Sequence, residues 1–202
     1  FGDGYGPVVV SRKPLGRADL VGCPVAIPGK LTTANLVLHL WQPEVTTEIM
    51  AFDKILDAVV DGQMEAGVVI HEGQLTYQDL GLRPVEDLGV WWKQETGGPL
   101  PLGGNGIRSD LDPELKQRLC RLLTESIAYG LDHRQEALGY AIRYARGLED
   151  DVERSDRFVG MYVNDWTRSY GQAGRQAVQL LLDRGYEAAI LPRRVQAEFV
   201  DV

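Results

Sequence analysis

The residues best suited to chemistry are a histidine and a glutamate that end an apolar run, Gly67-Val68-Val69-Ile70-His71-Glu72. Such a run reads as a buried central strand, and histidine is the side chain whose charge changes near neutral pH. At a strand end facing a cleft, His71 is placed to act as a general base. A capping or hydrogen-bonded histidine would have the same sequence signature, and that alternative stays open. Glu72 either orients the imidazole and raises its proton affinity or faces water.

A second segment, Ile27-Pro28-Gly29-Lys30-Leu31-Thr32-Thr33-Ala34-Asn35, has a strand ending in a glycine turn and two threonines opening a helix. The hydroxyls of Thr32 and Thr33, with the backbone N–H groups of Thr33, Ala34 and Asn35, can cradle a carboxylate. A threonine cap without a ligand is the plainer reading of the same residues. His39 falls inside an apolar helix and His133 in a polar first turn, so neither is favoured. Trp91 and Trp92 offer a cleft wall, although on a helix only one of two neighbours faces inward. Asn105 reaches a ligand only by its place in a crossing segment. The sequence holds no nucleophile elbow, Walker loop, GxGxxG or paired-histidine helix.

Positioning these groups requires an alternation of strands and helices. Apolar, β-branched runs predict strands at 8–11, 25–27, 48–52, 66–70 and 85–88, with helices at 32–41, 53–61, 73–80 and 90–95 between them. That order is the pattern of βαβ units and a mostly parallel sheet. Asp53 is placed to cap the second helix and Gly62 to end it. The stretch Gly97-Gly98-Pro99-Leu100-Pro101-Leu102-Gly103-Gly104 cannot be helix interior and reads as a crossing or hinge. Beyond it the chain turns helical. One helix opens at Asp112-Pro113, a second at a capping box of Asp132 and Gln135 with Gly147 as its end, a third spans 152–163 and a fourth 175–184 with Gly185 as its stop. The division expected is 1–16 as the end of a first lobe, 17–104 as a second lobe, and 105–202 as a return to the first.

Composition narrows the partners. The chain has 202 residues, 44% hydrophobic, with a formal charge of −8, so its field repels nucleic acids and anionic membrane surfaces. Cys23 and Cys120 are the only cysteines and lie far apart, without metal-ligand spacing, which points to a reducing, cytoplasmic setting and no metal site. No apolar stretch approaches the roughly 18 residues of a membrane span. The opening Phe1-Gly2-Asp3-Gly4, without methionine and running at once into Pro7-Val8-Val9-Val10, reads like the middle of a protein.

Five stretches together resemble a known family: Gly6 to Val10, Val25 to Ala34, Glu65 to Glu72, Asp87 to Trp92 and Pro99 to Gly103, with the later Tyr162-Val163-Asn164. They are similar to the 1,4-dihydroxy-6-naphthoate synthases of the futalosine route to menaquinone. The resemblance implies an α/β fold of the type II periplasmic-binding-protein kind, with two lobes and a helical C-terminal block, the first lobe short of its N-terminal strands and helices. It implies a cofactor-free lyase that converts cyclic dehypoxanthinyl futalosine, an aromatic carboxylate, to 1,4-dihydroxy-6-naphthoate. His71 would be the base, and Thr32, Thr33, Ala34 and Asn35 would hold the substrate. The family's initial Ser-x-Cys-Pro-Asn-Asp-Thr motif does not occur here. A binding protein for a small carboxylate and the sister chorismate dehydratase are the alternatives. Oligomeric state is not legible.

Overall fold

The computed structural model describes residues 1–144 and 151–201. Five strands, β1 (Val8–Ser11), β2 (Pro24–Ile27), β3 (Thr46–Ile49), β4 (Ala66–Val69) and β5 (Arg83–Asp87), form one sheet in the order β3-β2-β4-β1-β5. β2 pairs parallel with β3 and β4, whereas β1 runs antiparallel between β4 and β5. The sheet is therefore mostly parallel, with β1 as the exception. The expected division put residues 1–16 in another lobe; hydrogen bonding instead places β1 inside the sheet built by residues 24–87. Pairing partners are set in space, and chain order carries no sign of them.

Strand periodicity divides the core in two, because successive side chains point to opposite faces. Val9, Val25, Ile27 and Val68 face a cluster filled by helices α1 (Thr33–Trp41) and α3 (Leu88–Thr96), through Val37, Leu38, Leu88 and Trp92. Val8, Val10, Ala26 and Val69 face α2 (Ile55–Val60) through Ile55, Leu56 and Val59. With both faces covered, continuous apolar runs become strands. Gly62, at φ +75°, ends α2 in the left-handed conformation that glycine favours. A Cβ on Gly89 would lie 2.0 Å from the Tyr5 carbonyl, so only glycine lets the entering segment pass the start of α3.

Three local expectations change. The helix foreseen at 73–80 is a single 3₁₀ turn, Glu72–Leu75, followed by turns, in which Asp79, Leu80 and Gly81 N–H each bond three residues back and no run of four-residue bonds builds up. The third strand lies at Thr46–Ile49 and not at 48–52, since pairing with Pro24–Ile27 sets its ends. Asp53 makes no capping bond; the short 3₁₀ turn Phe52–Lys54 leads into α2 instead.

The crossing segment runs back beside the entering one, with Gly2 and Leu100 exchanging two backbone hydrogen bonds of 2.8 Å. The helices that follow are α4 (Pro113–Asp132), α5 (Arg134–Ala141), α6 (Val152–Tyr162), α7 (Asp165–Arg168) and α8 (Gly171–Glu187). Asp112 caps α4 as expected, accepting from Glu114 and Leu115 N–H. Asp132 does not form a capping box; α4 runs through it, and its carboxylate pairs with Arg168 at 2.8 Å. Gly147 lies outside the described residues. Gly185 sits inside α8 and is no stop, because Leu36 and Leu191 press on it so closely that a side chain would meet both at about 3 Å. α8 joins the sheet core through Leu181, whereas α4 has no buried residue and leaves Leu115, Leu119, Leu122 and Leu123 exposed.

Candidate active site

β2, β3 and β4 run parallel, so their carboxyl ends meet at one edge, where ligands of open α/β sheets bind. Three segments leave that edge: Pro28–Thr32 into α1, Met50–Phe52 into α2, and His71 into the 3₁₀ turn. Sequence reasoning named the first and third, and the sheet order brings them together.

At the start of α1 the Thr32 hydroxyl donates to Gly29 O at 2.8 Å and accepts from Asn35 N at 3.2 Å. Two groups expected to reach a ligand, the Thr32 hydroxyl and the Asn35 N–H, are thus bonded to each other as a helix cap. The Leu36 N–H goes to Thr32 O. Helix geometry leaves the N–H groups of Thr33 and Ala34 as the free donors of this turn. The Asn35 side chain is buried, its Nδ2 donating to Lys30 O at 3.0 Å, and its Oδ1 has no partner among the described residues. A buried acceptor left open costs about 1–3 kcal/mol, which makes this oxygen a place where a donor group would be stabilised. Leu31, between Lys30 and Thr32, is fully exposed at the rim.

His71 follows β4 with extended backbone angles, φ −120° and ψ −164°. Its Nδ1 accepts from Gly73 N–H at 3.0 Å and its Nε2 lies 2.9 Å from Phe52 O. A backbone N–H can only donate and a carbonyl only accept, so the ring is neutral with its proton on Nε2. Glu72 Oε2 stands 3.7 Å from Nδ1, too far for a hydrogen bond and opposite a nitrogen already occupied. In this state the pair is no ion pair. Because β3 and β4 flank β2, the bond from His71 to Phe52 joins the segments that follow its two neighbours, on the side of the sheet that α2 covers. Phe52 also meets the imidazole edge-on, with ring centroids 5.6 Å apart.

Sequence reasoning missed four contributors. Phe52 acts through its carbonyl, which no side-chain pattern reveals. Gln74 is buried and ties Gly6 O to Val69 O; Tyr162 reaches Ile70 O at 2.7 Å; Tyr5 donates to Met161 O at 2.6 Å. The Tyr162-Val163-Asn164 stretch stood out in sequence without a role attached. Elsewhere, His39 Nδ1 lies 3.0 Å from Asn35 O and His133 stacks on Tyr129, both away from the edge chemistry. Asn105 is exposed. Trp92 is buried in the core and Trp91, half-buried, packs against the same cluster, so both contribute to packing where the helix argument turned only one inward. No group of three His, Cys, Asp or Glu suited to a metal occurs among the described residues, and no helix there is long and apolar enough to cross a membrane.

Burial pushes the Tyr162 hydroxyl from its ordinary 10.0 up to about 12. The folded form therefore keeps this proton where the unfolded form releases it. Stability is whole below pH 10 and falls as pH rises through 12, by about 2–3 kcal/mol. Urea midpoints measured from pH 9 to 12 should show this loss, and Tyr162→Phe should remove it. Equal slopes in the two proteins would contradict the assignment.

A family model described as menaquinone biosynthesis matches residues 1–187. The 1,4-dihydroxy-6-naphthoate synthase of Thermus thermophilus is 42% identical over 181 residues, 90% of this chain and 65% of that protein. That of Streptomyces coelicolor is 34% identical over 198 residues, 95% and 69% of the two chains. The chain thus spans about two thirds of the length of these curated relatives. A crystal structure of an Archaeoglobus fulgidus protein superposes with a TM-score of 0.88 at 43% identity, covering 94% of this chain and 70% of that one. The periplasmic aliphatic sulphonate binding protein of Escherichia coli matches at a TM-score of 0.58 and 15% identity, over 94% and 63% of the chains, and shows the fold alone. A sheet with β1 reversed between parallel strands, a histidine ending β4, and these likenesses in sequence and shape lead to one statement: the chain belongs to the menaquinone biosynthesis family and has a periplasmic-binding-protein-like α/β fold.

Proposed function

We propose that the protein is a cytoplasmic lyase that converts cyclic dehypoxanthinyl futalosine to 1,4-dihydroxy-6-naphthoate, with His71 as general base. The observation that carries this reading is an imidazole held at the carboxyl edge, just past a strand that pairs parallel with the one leading into α1, with the proton on Nε2 and a carboxylate 3.7 Å from Nδ1. The resting ring has no free lone pair. It becomes a base when its proton moves to Nδ1 and turns toward Glu72, leaving Nε2 open to take the substrate's C–H proton. Two partners are released in that switch: the Phe52 carbonyl, which belongs to a short, partly exposed 3₁₀ turn, and the Gly73 N–H, because a protonated Nδ1 cannot face a second donor and the ring turns it from Gly73 toward Glu72. The Thr33 and Ala34 N–H groups, with the positive end of the α1 dipole, hold the substrate carboxylate. The Thr33 hydroxyl stands beside them, while Thr32 and Asn35 shape the turn.

The lobes are proposed in amended form. Residues 7–96 make one lobe that includes β1, residues 1–6 and 97–104 are the paired crossings, and α4 to α7 belong to the other, with α8 packed across onto the core of the first through Leu181. The exposed leucine face of α4 supports this, since a face of that kind needs a sheet to cover it. Closure of the two lobes expels water and holds the reacting carbon against the imidazole.

Incubating the intact protein with the cyclic futalosine substrate should yield naphthoate, followed by mass spectrometry. Recovery of unreacted substrate in a stable complex would instead favour a carboxylate-binding protein, and turnover of chorismate the sister dehydratase.

A further inference from the structure

We propose that Tyr162 is a positioning residue for His71, its hydroxyl holding the strand-end peptide from which the imidazole projects and so coupling the helical block to the catalytic turn. The catalytic importance of this coupling rests on the reading of His71 as base, although the coupling itself does not.

Ile70 is the residue before His71, and its carbonyl lies past the ladder between β1 and β4, whose last pair at this end is Val8 with Val69. It has no sheet partner there. Tyr162, at the end of α6, donates to it at 2.7 Å. A tyrosine has one proton to give, and this short bond takes it; Gln74 Oε1, at 3.3 Å, sits alongside. The next carbonyl, His71 O, accepts from Gln74 N at 2.8 Å. The peptide groups on both sides of His71 are therefore held, one of them from outside the sheet.

The helix end is itself held. Tyr5, in the entering segment, donates to Met161 O at 2.6 Å and accepts from Asn164 Nδ2 at 3.2 Å, and Asn164 Oδ1 caps α7 by accepting from Trp166 N. In Tyr162-Val163-Asn164 the first residue thus reaches the His71 turn and the third reaches the entering crossing. Movement of α6 relative to that crossing is transmitted to the Ile70 peptide and through it to the aim of the ring. The ring is sensitive to such a shift because both its nitrogens are bonded at 2.9–3.0 Å to backbone groups. Burial keeps the Tyr162 hydroxyl protonated, with its affinity pushed up to about 12, so the link persists across the working pH range.

Nitrogen-15 NMR of the three histidines reads this directly in the 202-residue chain. Wild type should show His71 as the Nε2–H tautomer with Nδ1 accepting a hydrogen bond. In Tyr162→Phe the tautomer ratio should fall and Gly73 amide exchange should quicken, each by about tenfold, the worth of one buried hydrogen bond. His39 and His133 should not change. As a control, Tyr129→Phe, which alters the ring stacked 4.0 Å from His133, should move His133 alone. Unchanged His71 signals and Gly73 exchange in folded Tyr162→Phe would overturn the proposal. If that variant does not fold, Tyr5→Phe frees α6 without touching the turn and should shift His71 in the same direction by about two- to threefold, and no shift would equally overturn it. These readouts need no turnover: an inert His71→Ala substitution would sink the base and leave the coupling, and the reverse result would do the opposite.

Discussion

His71→Ala is expected to lower turnover by about 10²–10⁴, the usual share of a positioned base, while substrate affinity changes little. The substitution removes the ring's acceptor for Gly73 N–H and its donor to Phe52 O, two bonds worth about 1 kcal/mol each. Phe52 O belongs to a turn open to solvent and can bond water instead, so the fold should persist with stability lowered by about 1–2 kcal/mol. His71→Asn separates the local from the chemical effect. Its side-chain oxygen can accept from the N–H two residues on, as in an Asx turn, and so keep the 3₁₀ turn without supplying a base. Both variants should lose turnover, and only the alanine variant should lose stability. Steady-state kinetics with thermal unfolding checks both, and unchanged turnover in either variant would remove His71 from the mechanism.

The largest effect on stability is expected at Trp92→Ala, about 3–5 kcal/mol against a total of about 5–15 for a domain. Trp92 is 2% exposed and lies in the cluster that α1 and α3 build against the sheet. Its Nε1–H donates to Pro99 O at 3.2 Å, fixing the start of the crossing next to the Gly2–Leu100 pair. Alanine leaves both a cavity and an unpaired carbonyl. Trp92→Phe should restore most of the packing and lose about 1–2 kcal/mol, mainly the indole bond. Urea unfolding followed by circular dichroism measures both. A loss below about 1 kcal/mol in the alanine variant would mean that the cluster closes over the gap, against the packing described.

Some of the site was legible because it depends on local order. His71 ends an apolar run, and two threonines follow a glycine turn, so both segments could be named before any contact was known. The role of Thr32 was not separable from that of Thr33, since choosing the cap depends on which residue keeps extended angles; here it is Thr32, at φ −103° and ψ 149°. Gln74 lay in a stretch read as helix, and nothing in its neighbours foretold that its amide would turn to Gly6, 68 residues away in sequence.

What the amino-acid sequence determined by itself was the five strands, most of the helices, which residues stand at two strand ends, and the family. Periodicity, turn residues and caps act over a few residues, so they survive in a one-dimensional record. Tertiary structure alone decided that Val8–Ser11 enters the sheet between β4 and β5, that the imidazole proton sits on Nε2, and that Tyr162 grips the peptide before His71. Each of these depends on at least one hydrogen bond between groups distant in the chain. Its partner is selected by the geometry of the folded molecule, and the residue types on either side are compatible with many others.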